Sequence, residues 1–455
     1  MNRDQLLASL GILFTAICMG LFVARYDFNP QAIGLFVLFL VFIPTVIKPD
    51  IGFIIIIISM LFSPDIILGK TSVREVSVRV DDIFLLVVIF AWLIRSAFTK
   101  DLSRAVNTKL TPLFFSYITI CLISSVIAAT MGTIDLKLSL LSIMKYAEYF
   151  LLFLMVKDNL KNMRQVKLFV LIFLVIAFIV SVHTNMYIQD QINAGVTFFR
   201  VAPPVESRGG GEANTMGGYL LFMLALTAGL LIYSRNFLVR IFLIILALFM
   251  LRSFLYTLSR GSYLAFLPVA LTLILLSRRM IFAFLIGAII VVAIMFMPQM
   301  VKERLSQTVV PKEGISGKYM ELEESPQSRL DSWKSVVFEK FPKSPLIGHG
   351  VAKGFIDGQF FSTLEEVGFL GLLVFIWILV RLFNAARLSF HYLLKARDNF
   401  GMGLSVGFIA GFVGLLFHSI STNTFIIIRI MEPFWFMAAI VVSLPGILTQ
   451  SADSQ

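Results

Sequence analysis

From Ile281 to Met297 no side chain carries a charge, and the run from Leu246 to Leu251 is equally uniform. Neither stretch has the polar face that a helix at the surface of a soluble domain needs. Segments of this kind recur along most of the chain, and about 20 apolar residues are enough to cross a bilayer. The chain is 58% hydrophobic and only 14% charged, whereas a soluble domain is about a quarter charged. The fold class that follows is all-α: a polytopic helical bundle forming a single membrane domain over residues 1–455.

Candidate spans fall at 6–24, 31–47, 51–68, 83–98, 111–130, 138–156 and 166–185, then at 216–233, 238–257, 262–277, 280–298, 362–382, 401–420 and 424–445. That makes about 12–14 spans at the usual length. The second and third are the weakest, because "IKPDIG" barely separates them and "SPD" at 63–65 interrupts the third. The first span shows no small-residue cleavage site after it and is read as retained.

The net charge of +11 resembles a nucleic-acid signal, but loop bias accounts for it better. With the N-terminus cytoplasmic, one set of connectors carries Arg95, Lys100, Arg104 and Lys109, then Lys157, Lys161, Arg164 and Lys167. Arg235 and Arg240, Arg278 and Arg279, and finally Arg381, Arg387, Lys395 and Arg397 continue the set. Acids are scarce there, as the positive-inside rule requires. Both termini are then cytoplasmic, and no nucleic-acid partner is implied. Cys18 and Cys121 both fall inside spans and give neither a disulfide framework nor a metal-ligand spacing.

The same register places three longer segments at the outer face: 69–82, 186–215 and 299–361. The last has helical apolar spacing near 329–341, where Leu330, Trp333, Val336 and Phe341 line one side. Cations kept at an outer face need a local reason. Arg260 sits there in "TLSRGSY", in a tight turn between two spans, and shares the face with Arg200, Arg208 and Arg329. A lone arginine at a span end would snorkel to the headgroups. Several converging on one place suit a diphosphate, whose oxygens accept paired N–H bonds.

Two other stretches hold polar residues where a span begins. In "RVAPPVESRGGGEANTMGGYL", 200–220, Glu212 and Asn214 precede a span. Asn214 or Thr215 either caps that helix or, with Arg200 and Arg208, helps to form an anion site. In "SPLIGHGVAKGFIDGQFFSTLEEVGFLGLL", 344–373, His349 lies in a glycine-flanked turn, Asp357 precedes a span, and Glu365 and Glu366 sit in its first turns. These acids either stabilise the helix through its dipole or act as a general base or sugar-hydroxyl acceptor. Lys145 with Glu148 and Arg429 with Glu432 are read as neutralising (i, i+3) pairs inside the bundle. No metal triad and no nucleotide-binding loop is present in the sequence, so no cofactor is implied.

Taken in order, "R…EANTMGGYL", "SRGSYLAF" and "SRLDSW…PLIGHG…DGQFFSTLEEVGFLGLL" resemble the O-antigen ligase and Wzy-type polysaccharide polymerase superfamily. The resemblance implies a GT-C-like glycosyltransferase of the bacterial inner membrane. It would use undecaprenyl-diphosphate-linked oligosaccharide at the periplasmic face, by an inverting transfer that needs no metal. It further implies that Arg260 and Arg329 stabilise the departing diphosphate and that Arg200 assists. Asp357 and Glu366 join them as catalytic candidates. Arg208, Glu212, Asn214, Trp333 and His349 are expected to bind substrate. The expected partners are the lipid-linked oligosaccharide, the bilayer, a chain-length regulator and a flippase. Ligases of this family usually carry His-Asn nine residues before the Glu of an E-x-G motif; here that position is Asp357, followed by Gly358. The pattern "DGQF" is more like the polymerases. Polymerase is the favoured expectation, ligase the alternative, and a lipid-linked oligosaccharide transporter the alternative of another class. The general base stays open among Asp357, Glu366 and His349.

Overall fold

A computed structural model of the chain describes residues 41–63, 65–70, 75–99, 108–204, 213–277, 299–306, 309–314, 317–322, 324–354 and 356–453. The expected spans at 6–24 and 280–298, most of that at 31–47, and the site candidates Arg208 and Glu212 lie outside these residues.

Among the described residues nine helices are long and apolar enough to cross a membrane. They are preceded by α1 (Pro49–Phe62) and α2 (Val80–Thr99), joined through a hairpin of β1 (Asp65–Lys70) and β2 (Glu75–Arg79). The nine begin with α3 (Thr111–Thr130), α4 (Leu136–Asn159), α5 (Met163–Asn193), α6 (Ala213–Tyr233), α7 (Phe237–Leu255) and α8 (Arg260–Ser277). After α8 come the short α9 (Gln299–Ser306), a second hairpin of β3 (Val309–Gly314) and β4 (Gly317–Leu322), and α10 (Glu324–Ser335). The last three spans are α11 (Gln359–Ala396), α12 (Asn399–Ser421) and α13 (Ile428–Asp453). The chain is thus a multi-pass, helical membrane protein. Its span boundaries follow the apolar runs closely, and α5 extends to Asn193, beyond the expected start of an outer segment at 186.

Two details depart from the expectation. The expected third span stops at Phe62, and part of the expected outer segment 69–82 is the β1–β2 hairpin, paired antiparallel from Asp65–Arg79 to Lys70–Glu75. The (i, i+3) pairing of Lys145 with Glu148 is also replaced. Lys145 Nζ pairs with Asp82 Oδ2, on α2, and Arg79 Nη2 meets Asp81 Oδ2 at 2.9 Å. Burial selects partners across helices here, because α4 packs against α2 and hides the acids from water.

The short turns at one end are fixed by caps. Asn162 and Gln165 form a capping box on α5, Asn236 accepts from Leu238 N at 2.9 Å, and Asp398 accepts from Gly401 N at 3.0 Å. The basic residues 157–167, 235–240 and 381–397 collect at this end. At the centre α6 and α12 touch backbone to backbone. A Cβ on Gly229 would stand 2.4 Å from Gly407 N, and one on Gly407 would stand 2.7 Å from Leu226 Cα. Small residues let the two helices approach this closely, as is usual between membrane helices. The longer connectors, and the site, lie at the other end.

Candidate active site

The chain between α7 and α8 reverses in Tyr256–Ser259, and Arg260 is the first residue of α8. Leu258 takes a left-handed φ of 51° and is fully buried, an unusual conformation for a side-chain-bearing residue. The reversal is held from outside by residues 199–201. Val201 N donates to Tyr256 O (3.1 Å), Arg200 Nη2 donates to Leu258 O (3.2 Å), and the Phe199 and Tyr256 rings stack at 5.6 Å. Inside, Ser259 Oγ donates to Asn214 Oδ1 (2.7 Å) and Ser262 Oγ to Ser259 Oγ (2.8 Å). Asn214 lies within the first turn of α6 and braces the α7–α8 turn with its side chain. Arg200, Asn214 and Arg260 are therefore brought to one structural element.

Arg329 belongs to α10, whose helix begins at Glu324, five positions earlier than the apolar spacing indicates, and passes into a π turn (Val336–Lys340). This arm lies along the start of α11. Arg329 Nε meets Asp357 Oδ2 at 2.9 Å, and Trp333 Nε1 donates to Asp357 O at 2.6 Å. The Trp333 ring stacks on Phe361 with centroids 4.8 Å apart. Gly358 has a φ of 103° and a Cβ there would come 3.0 Å from Trp333 Nε1, so the turn under the tryptophan requires glycine. A second pin follows eleven residues along the arm, where Lys340 Nζ reaches Glu365 Oε1 at 2.6 Å. Lys340 was not singled out from sequence, since a lysine in an exposed loop carries no visible signal. The two terminal nitrogens of Arg329 have no partner among the described residues, and the side chain is 26% exposed.

The 38-residue α11 is not one straight rod. Gly368 adopts a φ of 66° and a ψ of −167° and breaks it into a short outer piece and a long span. Residues 345–351 fill the break. Phe369 N donates to Pro345 O (2.8 Å), Gly350 N to Glu366 O (3.0 Å) and His349 N to Glu365 O (2.9 Å). Ser124 Oγ on α3 donates to Glu366 O at 2.7 Å and accepts from Gly350 N at 3.0 Å. Backbone groups freed by the break are thus paired again, as they must be at membrane depth. Glu366 is buried and its Oε1 accepts from Ala352 N at 3.1 Å. His349 is half-buried, with Nδ1 3.4 Å from the Glu365 carbonyl oxygen. Burial, helped by the Lys353 and Lys340 cations, lowers the pKa of His349 from its ordinary value, against the opposing pull of Glu365.

One short segment separates the Arg260 turn from the arm. A Cβ on Gly261 would stand 2.3 Å from Ser421 Oγ, and one on Gly358 would stand 2.7 Å from Ile420 O. Asn423 Nδ2 donates to Ile356 O at 2.7 Å. The end of α12 therefore lies between Gly261, next to Arg260, and Gly358, next to Asp357. His418 is fully buried there, with Nδ1 2.8 Å from Thr424 Oγ1.

Residues 245–376 match the family model described as O-antigen ligase. Over that segment the chain is similar to an O-antigen ligase domain. Enzymes of the O-antigen ligase family are lipid-linked glycan transferases. The matched segment runs from α7 through the Arg260 turn, α8, the arm and the inserted loop into α11. It includes Arg260, Arg329, Trp333, His349, Asp357 and Glu366, while Arg200 and Asn214 reach it from outside. No curated protein matches the chain.

Proposed function

We infer that the protein transfers an oligosaccharide from undecaprenyl diphosphate to the hydroxyl of another lipid-linked repeat unit, and so polymerises exopolysaccharide, capsule or O-antigen. The observation that carries this reading is the state of Arg329. Asp357 holds it through Nε, and its two terminal nitrogens have no partner among the described residues, while Gly358, next to Asp357, meets the same end of α12 as Gly261, next to Arg260. A planar guanidinium held in this way presents its other edge to a pair of phosphate oxygens. As the bond from the anomeric carbon to the diphosphate breaks, negative charge grows on the leaving oxygen. Fixed cations at a poorly hydrated membrane edge then favour the transition state over the ground state. Arg260, at the amino end of α8, adds to the same field, and Arg200 braces the turn that carries it.

The orientation belongs to the same proposal. The basic connectors at the opposite end support a cytoplasmic face there, with the site and its arm on the periplasmic side. Inversion at the anomeric carbon and independence of metal are part of it too. Glu366 serves the inserted loop by accepting the Ala352 N–H and supports the wall of the site. The ligase reading is favoured by the description of the matching family; there the acceptor would be lipid A-core.

Protein reconstituted with a lipid-linked repeat unit should lengthen the glycan and release undecaprenyl diphosphate, without nucleotide and in the presence of EDTA. A single attachment to lipid A-core, without lengthening, selects the ligase. Movement of the substrate across the vesicle with no release of diphosphate overturns glycosyl transfer altogether and leaves a transporter.

A further inference from the structure

We propose that the far end of the arm, from Phe338 to Leu346, is seated in the bilayer on the site's side of the membrane. Phe338 and Leu346 lie among acyl chains, and Lys343 rests on anionic lipid headgroups. The proposal needs only a membrane-spanning bundle and is independent of the glycosyl-transfer reading.

The arm has a direction. Arg329 meets Asp357, Trp333 stacks on Phe361, and Lys340 meets Glu365. Contacts in this order make the arm and the outer piece of α11 run side by side. Both arrive at Gly368, where the long span begins. The loop that follows goes deeper. Leu370 N donates to Leu346 O at 3.3 Å, and Gly350 N donates to Ser124 Oγ on α3 at 3.0 Å. Ser124 lies six residues before Thr130, the last residue of α3, and so about 9 Å inside that end at the rise of a helix. Because α3 is long and apolar enough to span, the loop lies at membrane depth.

Apolar side chains are left open at this place. Phe338 is 75% exposed and Leu346 is 57% exposed. Val336 is fully buried and Lys340 turns to Glu365. Phe338 is two residues from each, about half a helical turn, and therefore points away from α11. Beside Leu346 stand Phe369 and Leu370 at the start of the long span, both exposed, and Ile123 is open on α3 at the level of Ser124. Those side chains face acyl chains, and the arm continues their surface. In water, such a patch would stand uncovered.

Lys343 decides the kind of lipid. It is exposed, lies between Phe338 and Leu346 in the chain, and forms no ion pair among the described residues. Lys340 is already committed to Glu365, and Lys334 stands 3.8 Å from Asp331. An aromatic and an aliphatic side chain beside a lysine make a segment that lies in an interface and favours anionic headgroups. Seated in this way, the arm holds Trp333 and Arg329 at a set height over the start of α11, with the bilayer as one of its supports.

The test uses the full chain carrying Cys18→Ser, in vesicles; the remaining Cys121 is buried. A nitroxide is attached at Phe338→Cys or Leu346→Cys, both exposed positions, with Ile123→Cys as the reference for the lipid face. Oxygen concentrates among acyl chains and a nickel chelate stays in water, so the two relaxants report where each label lies. In vesicles containing phosphatidylglycerol, both labels should relax with oxygen and be shielded from nickel, as the reference is. Adding Lys343→Gln should lower the ratio of lipid-exposed to water-exposed label at 338 by about fivefold, the effect of one lysine near an anionic surface. In phosphatidylcholine it should change nothing. Nickel access at 338 or 346 overturns the seat. Labels shielded from both relaxants overturn it too, and spin–spin broadening would then mark a second copy of the chain on this face. A ratio that K343Q leaves unchanged in phosphatidylglycerol overturns the part given to Lys343.

Discussion

Two sets of ion pairs lie at the same end of the bundle and have opposite characters. Around the start of α2 the Arg79–Asp81 side chains are 5% and 0% exposed, and Lys145 and Asp82 are closed in almost as fully. Arg79 Nη2 also donates to Met60 O at 2.8 Å, and Asp82 Oδ2 accepts from Arg79 N at 2.9 Å. The Arg329–Asp357 pair is 26% and 27% exposed and uses one edge of the guanidinium. The first set spends its charges on joining α1, α2 and α4. The second leaves the two terminal nitrogens of Arg329 without a partner among the described residues. Charge alone does not mark a site in a membrane protein; a charged pair left partly open, as Arg329–Asp357 is, stands apart from one sealed in the core.

The largest expected effect separates the two sets directly. Arg329→Ala and Arg260→Ala should each lower transfer by about 10²–10³-fold, the scale for losing a group that stabilises a developing anion. Both variants should purify and melt like the wild type. Arg329→Lys should also be poor, because the ammonium lacks the fork that reaches Asp357 and phosphate together. Normal turnover in either alanine variant would return that arginine to a headgroup anchor.

Arg79→Ala should do the reverse. Removing one partner of a buried pair costs about 3–5 kcal/mol, so thermal unfolding in detergent should shift strongly downward. Turnover by the fraction still folded should stay close to normal. A loss of activity without a loss of stability would bring this network into the site.

Most of the fold was legible because hydrophobic length is a one-dimensional property. The spans at 111–130 and 401–420 needed only a count of apolar residues, and Thr111–Thr130 and Asn399–Ser421 follow them. Partners were less legible. Lys145 lies three residues from Glu148 and sixty-three from Asp82, yet it pairs with Asp82, because packing of α4 on α2 decides which acid shares its dry pocket. The tight turn at Arg260 was visible from its brevity between two spans. The seating of "PLIGHG" in α11 was not, since nothing in the sequence shows that Gly368 breaks the helix and frees backbone groups for a loop to meet. Asp357 was found by its place in a motif; its attachment to Arg329 is a tertiary fact.

Gly368→Ala tests that seat. A Cβ there would come 2.5 Å from the Leu346 carbonyl, and the φ of 66° is costly for any residue with a side chain. A loss of about 1–3 kcal/mol is expected from the strain. Because the loop carries His349, turnover should fall together with stability. Loss of stability alone would show that the break of α11 does not help to place the histidine.

The smallest effect is expected at Ser124, and its smallness is informative. Ser124 Oγ donates to Glu366 O and accepts from Gly350 N, and both bonds are buried. Yet Gly350 N also donates directly to Glu366 O at 3.0 Å, so Ser124→Ala orphans neither group. The cost should be near the net value of one hydrogen bond, about 1 kcal/mol, instead of the larger penalty for a stranded donor. Hydrogen exchange at Gly350 in the alanine variant measures the difference. A modest loss of protection fits a doubly held loop. Complete loss, with turnover gone, would make the α3 hydroxyl the main support of the site and remove the contrast between the two regions.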